Sequence, residues 1–458
     1  MNKEISPHIF RAYDIRGLYG EDIDPELFYN IGLSAGTYVK NNLDGKTMAV
    51  GNDIRQSSHV LVHAFISGVI ATGVNVTFTQ TTSFGQTLFS GWDLKKDLIA
   101  FVTASHLPPE WNGIKFYYGD GVGLPEDELN QIRDNTLHQK WKKADFSSVG
   151  RVEIIDAKKK YESFFNKSFH FSTKLRVAVD CGGASMTLSA PDIFTNLGLD
   201  LVEVYCEPDP LFSQRPSDPK PENLESLKNT VQKEHCDFGV AFDGDGDRSV
   251  IIDNQGRVLS ADETGIIIGK YGLHDRKGTI IANVECSKTV SEQLTPLGFS
   301  IKKIQVGHTF LTLHAKKERA LLGIESSGHL ILPEYFLFDD ALVVPLKIAE
   351  VLQNTEKTLA EMKDEIPSYP TKKKEISCGD DIKFDVMKKL KKSFTEMYEN
   401  TNTLDGVRID FPEGWVLVRA SNTSPLIRLT VEAKTQRQVD DFVTTFTEKT
   451  NQVITSFS

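Results

Sequence analysis

The stretch DFGVAFDGDGDRSV, residues 237–250, runs an apolar segment straight into three aspartates. Asp243, Asp245 and Asp247 are separated by glycine alone. Carboxylates this close repel one another, so the loop calls for a cation. DFGVAF reads as a buried strand, and open α/β sheets place ligands beyond the carboxyl ends of their strands. Gly244 and Gly246 permit a turn sharp enough for the three carboxylates to converge. An all-oxygen ligand set suits Mg2+ or Ca2+. A calcium-binding EF-hand needs Gly and Glu at loop positions six and twelve, and counting from Asp243 finds Arg248 and Asn254 there instead. An isolated Asp-x-Asp is most often a solvated acidic turn, but three aspartates after an apolar strand favour a metal. Arg248 beside them points to an anionic ligand that also touches the metal.

Outward from this loop, one pattern recurs: apolar strand, helix, apolar strand, polar loop. KTMAVGND reads as a strand and SSHVLVHAFISGVIATG as a helix, with Ser57 or Ser58 as N-cap and Gly73 at its end. VNVTFTQ and DLIAFVTASH are further strands. LRVAVDCGG is a strand followed by a helix to about Leu197, then LDLVEVYC, a helix in ENLESLKNTVQKEH, and DFGVAF. GTIIANV leads to a helix in SKTVSEQLTPLG and to strands FSIKKIQVGHTF and ALLGIESSGHLIL. Such units imply mainly parallel or mixed sheets covered by helices. The C-terminal ninety or so residues differ: VRIDFPEGWVLVRASNTSPLIRLTVEA alternates like antiparallel strands, and QRQVDDFVTTFTEKTNQVITSF reads as a helix. The expectation is three α/β domains with mixed sheets and a smaller C-terminal α+β domain, spanning 1–149, 150–253, 254–365 and 366–458.

The chain totals narrow the function. The 458 residues exceed the usual one-domain length of roughly 100–200. A net charge of −11 argues against general nucleic-acid binding, so any anion site must be built locally from a few Arg and Lys. No apolar run approaches the roughly 18 residues of a membrane span, and MNKEISPHIFRAYDIRG lacks the apolar core of a signal peptide. Five scattered cysteines without Cys-x-x-Cys argue against a disulfide framework or zinc site and for a reducing cytoplasm.

Three further loops carry chemistry. In TASHLPPEWNGIKF, residues 103–116, Ser105 follows an apolar strand, Pro108 and Pro109 stiffen the loop, and His106 and Lys115 are proton-transfer or phosphate-binding candidates. The glycines of a Gly-x-Ser-x-Gly elbow are missing, so a hydrolase triad is not supported. In GIESSGH, residues 323–329, Glu325, Ser327 and His329 cluster, and carboxylate and hydroxyl groups can bind vicinal sugar hydroxyls. A polar β-turn accounts equally well for that loop alone. In RASNTSPLIR, residues 419–428, Arg419, Ser421, Asn422, Thr423 and Arg428 suit a phosphate held without metal, rather than a hairpin turn with exposed arginines.

These four loops in this order, with FRAYDIRG at residues 10–17, resemble the α-D-phosphohexomutase superfamily, specifically its phosphomannomutase/phosphoglucomutase group. SDPKPENLESL and YFLFDDAL are also similar to segments of that family. The resemblance implies four domains around a central cleft. It implies that Ser105 carries a phosphoryl group, that Asp243, Asp245 and Asp247 hold Mg2+ with a phosphoserine oxygen, and that Glu325 and Ser327 grip the sugar. Arg419, Ser421, Asn422 and Thr423, with Arg428 nearby, then hold the non-reacting phosphate. Tyr13, Arg16, His106, Lys115, Arg248, His308 and His329 match cleft positions, with Lys115 as general base and Arg16 as alternative or helper. The implied activity interconverts hexose 1- and 6-phosphates, of mannose or glucose, through a hexose 1,6-bisphosphate, in a monomer or dimer with a mobile fourth domain.

The match is imperfect in places. Glu285 stands where similar enzymes often carry Lys, with Lys288 one turn on as a possible substitute. Ser424 replaces a usual Glu, and TTSFGQTLF, residues 81–89, replaces a Thr-Pro type segment. SNT rather than SGT in the fourth loop favours the hexose group over phosphoglucosamine mutases. A haloacid-dehalogenase-type sugar phosphatase would use Asp243 as nucleophile, but wants Thr or Val where Asp247 stands and an N-terminal motif. A non-catalytic sugar-phosphate or Ca2+ module would not need Ser105, Lys115 and all three aspartates.

Overall fold

The computed structural model describes residues 7–11, 13–421 and 425–457. Four sheets follow one another along the chain. In the first, Thr47–Asn52 lies at the centre, parallel to Asn75–Thr81 on one side and Leu98–Val102 on the other, with Trp111–Tyr118 antiparallel beyond the latter. The second repeats this order with Arg176–Asp180 between Asp200–Val204 and Phe238–Phe242, and Ser249–Asp253 antiparallel outside. The third repeats it again with Thr279–Asn283, Ser300–Ile304, Leu322–Ile324 and Leu330–Ile331. The central strands read as unbroken apolar runs because both sheet faces are covered. The fourth sheet is wholly antiparallel, built on Val407–Asp410, Gly414–Ala420 and Leu426–Ala433 and backed by the helix Gln436–Thr455.

Three mixed α/β domains and an antiparallel C-terminal domain are therefore present, as the strand patterns predict. One continuous apolar core threads the first three, joining Phe84 and Tyr117 to Val177 and Val240 and on to Ile280 and Ile324. The fourth has its own core. It docks on the third through Val284, Trp415 and Leu417, and through Arg408, which is buried 4.0 Å from the Trp415 ring centre.

Several local expectations are corrected. Val152–Ile154 adds parallel to Asn75–Thr81, so the first sheet runs past the expected division near 150. The helix Gln56–Ala71 has Arg55, not Ser57 or Ser58, at its N-cap. Ser58 is drawn instead to Asp53, its Oγ donating to Oδ1 at 2.5 Å. Gly73 does follow the helix in the left-handed region at φ 91°. The strand within FSIKKIQVGHTF stops at Ile304, and His308 opens the helix His308–Glu318. ALLGIESSGHLIL is a hairpin, with Leu322–Ile324 and Leu330–Ile331 antiparallel and ESSGH as the turn between them.

Candidate active site

Ser105 leaves the strand Leu98–Val102 with φ 53°, a conformation that costs a non-glycine residue energy and persists only where its surroundings enforce it. Here the enforcement is visible. Thr103 Oγ1 accepts from the Ser105 amide at 2.9 Å, and Arg55 donates to the Ser105 and Leu107 carbonyls at 2.7 Å each and to the Pro108 carbonyl at 2.5 Å. Arg55 is itself fixed by Asp53 at 2.9 Å. The Ser105 hydroxyl, 2% exposed, donates to Asp243 Oδ2 at 3.1 Å, so the first- and second-domain loops meet at their reactive groups. A Cβ on Gly244 would fall 2.2 Å from the Ser105 carbonyl oxygen, so glycine is required there for close approach. Gly246, at φ 84°, makes the turn.

The three carboxylates converge within 4.8 Å of one another and are buried. Oδ1 of Asp245 and Oδ1 of Asp247 have no hydrogen-bond partner among the described residues. Burial, together with Asp247 and Asp245, pushes the Asp243 carboxyl up to about 8. Three converging hard oxygen donors, two of them unpartnered, fit a divalent cation such as Mg2+. TTSFGQTLF supports this loop, because Ser83 caps the helix Phe84–Asp93 and the Phe84 amide donates to the Asp245 carbonyl at 2.9 Å.

Positive charge surrounds the cluster. Lys115 Nζ lies 2.9 Å from Asp245 and 2.5 Å from Asp247. Burial alone would lower its pKa, but the two carboxylates outweigh burial and raise it. Arg248 Nε pairs with Asp243 at 3.2 Å, and its Nη1 donates to the Ser327 carbonyl at 3.3 Å, tying the metal loop to the sugar loop. His329 Nδ1 sits 2.5 Å from Asp339. Against the effect of burial, Asp247 and Asp339 push it up to about 9, so it is an imidazolium at neutral pH. His106 Nδ1 is 3.3 Å from the Ser105 hydroxyl, and burial, then Arg248 and Arg16, push it down to about 2. Burial likewise takes His308 down to about 4, stacked 5.7 Å from the His329 ring. The site thus holds two neutral imidazoles and one charged one.

In the sugar loop, Ser327 Oγ donates to Glu325 Oε1 at 2.7 Å, and the Gly307 amide donates to Glu325 Oε2 at 3.2 Å. Tyr13 packs edge-on against His308 and donates to the Val306 carbonyl at 3.3 Å, so the first domain reaches the third. Arg16 pairs with Asp14 at 2.7 Å, and its buried Nε has no hydrogen-bond partner among the described residues. Arg419 reaches Glu285 at 2.9 Å, and Ser421 is buried beside it. Asn422 and Thr423 lie outside the described residues. Arg428 stands directly opposite Arg419 in the strand register but is half exposed, and its guanidinium is paired not within the cluster but with Glu375 of the next strand, at 3.7 Å. Nor does Lys288 replace the cation missing at 285, since its Nζ donates to the Phe411 and Pro412 carbonyls at 3.0 and 3.3 Å.

Sequence reasoning missed the residues that hold this site. Arg55 fixes the serine loop, and Asp339 fixes His329. Arg215 bonds Asp180 at 2.9 Å and the Phe242 carbonyl at 2.7 Å, just before the aspartates. A weak signal existed for two of them: charged residues inside or just after apolar runs, in AVGNDIR and FLFDDAL.

Residues 7–143, 157–256 and 260–369 match the phosphoglucomutase/phosphomannomutase alpha/beta/alpha domains I, II and III, and residues 377–449 match the C-terminal domain of the same family. A probable phosphoglucosamine mutase of Methanopyrus kandleri is 32% identical over 450 residues, 95% of this chain and 96% of that protein. A phosphomannomutase/phosphoglucomutase of Pseudomonas aeruginosa is 32% identical over 454 residues, 98% and 96% of the two chains. The crystal structure of a phosphoglucomutase/phosphomannomutase family protein from Burkholderia thailandensis superposes with a TM-score of 0.89 at 25% identity, covering 98% of each chain. No helix among the described residues is long and apolar enough to cross a membrane. The chain belongs to the phosphoglucomutase/phosphomannomutase family of the α-D-phosphohexomutase superfamily, whose enzymes are isomerases.

Proposed function

We propose that this enzyme interconverts the 1- and 6-phosphates of mannose or glucose through a phosphorylated Ser105 and a hexose 1,6-bisphosphate. The observation that carries the reading is the buried contact of Ser105 Oγ with Asp243 at 3.1 Å, ringed by Lys115, Arg248 and a protonated His329. A phosphoserine brings about −1.5 to −2 charges to a site that already holds three carboxylates. Only a cation-rich pocket can accept that load, and phosphoryl transfer depends mainly on such charge and on positioning.

In this reading Asp243, Asp245 and Asp247, with a phosphoserine oxygen, would hold Mg2+, which would supply positive charge against the phosphoryl oxygens. The ammonium is the favoured form of Lys115 while Asp245 and Asp247 face it, so it serves as a base only in its neutral form. The sugar hydroxyl attacks phosphorus, the P–Oγ bond of Ser105 breaks, and the hydroxyl proton passes to Lys115, with Arg16 as helper. His106, held neutral beside the Ser105 hydroxyl, accepts or donates a hydrogen bond there without adding charge. Glu325 and Ser327 hold vicinal hydroxyls. Arg419 and Ser421, with Asn422 and Thr423, hold the non-reacting phosphate, and Tyr13 and His308 line the cleft. The bisphosphate turns end over end, and its other phosphoryl returns to Ser105, so no phosphate is released.

We place the domain divisions after residue 154 and near 254 and 366, because Val152–Ile154 belongs to the first sheet. Hexose phosphates are the partners in this reading, and a cytoplasmic location and a monomeric or dimeric state belong to the same proposal. The test is a mutase assay with Mg2+ and a trace of hexose 1,6-bisphosphate on mannose, glucose and glucosamine 1-phosphates, following 6-phosphate and free phosphate. Conversion of mannose or glucose 1-phosphate without phosphate release is expected. Turnover of glucosamine alone would move the substrate to an amino sugar, and stoichiometric phosphate release would refute the mutase.

A further inference from the structure

We propose that Glu285 is an internal anion that competes with the substrate's non-reacting phosphate for Arg419 and so sets the affinity for hexose phosphates. The inference rests on the reading of Arg419 as a phosphate-holding residue. Glu285 Oε1 lies 2.9 Å from Arg419 Nη1, a contact made across the boundary between the third and fourth domains. Its Oε2 accepts from Ser326 Oγ at 3.5 Å, beside the sugar-gripping Glu325 and Ser327. The carboxylate is where a ligand would have to be.

Its position is built rather than incidental. The Glu285 amide donates to Asn283 Oδ1 at 3.1 Å. The carbonyls on either side, of Val284 and Cys286, both accept from Arg408 Nη1, at 2.7 and 2.9 Å. Arg408 is buried, pairs with Asp410 at 2.9 Å and lies over Trp415. The backbone of Glu285 is therefore pinned on both sides, and little entropy is lost when its carboxylate meets Arg419.

Arg419 is met by a second carboxylate, Asp405, at 3.5 Å from Nη2. Among the described residues its Nε is buried without a partner, so the guanidinium keeps a donor for a ligand while its charge is already matched. A phosphate arriving there meets one guanidinium and two carboxylates, and Lys288, turned to the Phe411 and Pro412 carbonyls, adds no cation. Like charges in a partly desolvated cleft repel more strongly than on an open surface. Phosphate binding then requires Glu285 to yield the guanidinium, and the strength of that ion pair is subtracted from substrate affinity.

The experiment compares wild type with Glu285→Gln, which keeps the shape and removes the charge, and with Asp405→Asn, whose carboxylate stands farther off. The readouts are KM and kcat for glucose 1-phosphate and the dissociation constant of inorganic phosphate by calorimetry. Glu285→Gln is expected to lower both KM and the phosphate dissociation constant by roughly threefold or more, with kcat moving much less and with a smaller effect from Asp405→Asn. A correctly folded Glu285→Gln, matched to wild type in circular dichroism and melting temperature, with unchanged or higher KM and unchanged phosphate binding overturns the inference while leaving the mutase intact. If wild type shows no mutase turnover, the functional reading fails instead. The phosphate titration then still decides the competition: tighter binding in Glu285→Gln upholds it, and equal binding overturns it.

Discussion

Replacing Lys115 by Met keeps the length of the side chain and removes its charge from between Asp245 and Asp247, which it meets at 2.9 and 2.5 Å. Both carboxylates are buried, and each has an oxygen with no hydrogen-bond partner among the described residues. Removing one member of a buried ion pair costs about 3–5 kcal/mol, because the surviving charge stays buried and uncompensated. Domains of 150–250 residues lose about 2–4 °C of melting temperature per kcal/mol. The expected drop for Lys115→Met in EDTA is therefore roughly 6–20 °C. A divalent ion bound to the same carboxylates supplies the missing charge, so saturating Mg2+ should recover most of that drop. The assay is thermal unfolding followed by circular dichroism, for wild type and variant, in EDTA and in Mg2+. The same loss in both buffers, or no loss in EDTA, would refute the placement of Lys115 and the metal on shared carboxylates.

Gly244→Ala puts a Cβ 2.2 Å from the Ser105 carbonyl oxygen, so the two loops must part; a melting-temperature loss equivalent to about 1–3 kcal/mol, as for other overpacked sites, and a larger loss of turnover are expected from calorimetry and the mutase assay. Arg55→Lys cannot reproduce a guanidinium that binds the Ser105, Leu107 and Pro108 carbonyls at once; kcat should fall while substrate binding, measured by calorimetry, holds. His329 is pushed from its ordinary 6.5 up to about 9 when folded, so its stabilising contribution is complete below pH 6.5 and is lost as pH rises through about 9. In EDTA, unfolding free energy should decline by up to about 3 kcal/mol across that window. The decline should be smaller by that amount in His329→Gln, where the part belonging to the raised Asp243 carboxyl remains, and an equal decline in that variant would exclude His329 as its source.

Much of the fold was legible because apolar runs of strand length end in loops of unusual composition. Asp243 and Ser105 both leave such strands, and the shared four-strand order brings the two loops together. Elements failed where a local pattern was ambiguous. ALLGIESSGHLIL has apolar ends that read together as one strand, but its polar ESSGH, with Gly328 at φ 109°, is the turn of a hairpin. The strand within FSIKKIQVGHTF gave no internal sign that a helix opens at His308. Ser58 reads as a helix cap but is drawn to Asp53, a competition between hydrogen bonds that no spacing rule reveals. The groups that carry charge in the site were named from sequence. Those that orient them were not, because Arg55, Arg215 and Asp339 act through contacts set by the fold. Glu285 was visible as a departure from the family, but its partner Arg419, 134 residues away, was not.

The central claim is that Ser105 carries the phosphoryl group that enters and leaves the sugar. The direct measurement loads the enzyme with labelled hexose 1,6-bisphosphate, removes free sugar, maps the label by peptide mass spectrometry, and then adds unlabelled hexose 1-phosphate for a single turnover. Label on Ser105 that moves into hexose bisphosphate on mixing, with none released as phosphate and none bound by Ser105→Ala, is the predicted result. Label on Asp243 or released to water, or full mutase turnover by Ser105→Ala, would contradict it.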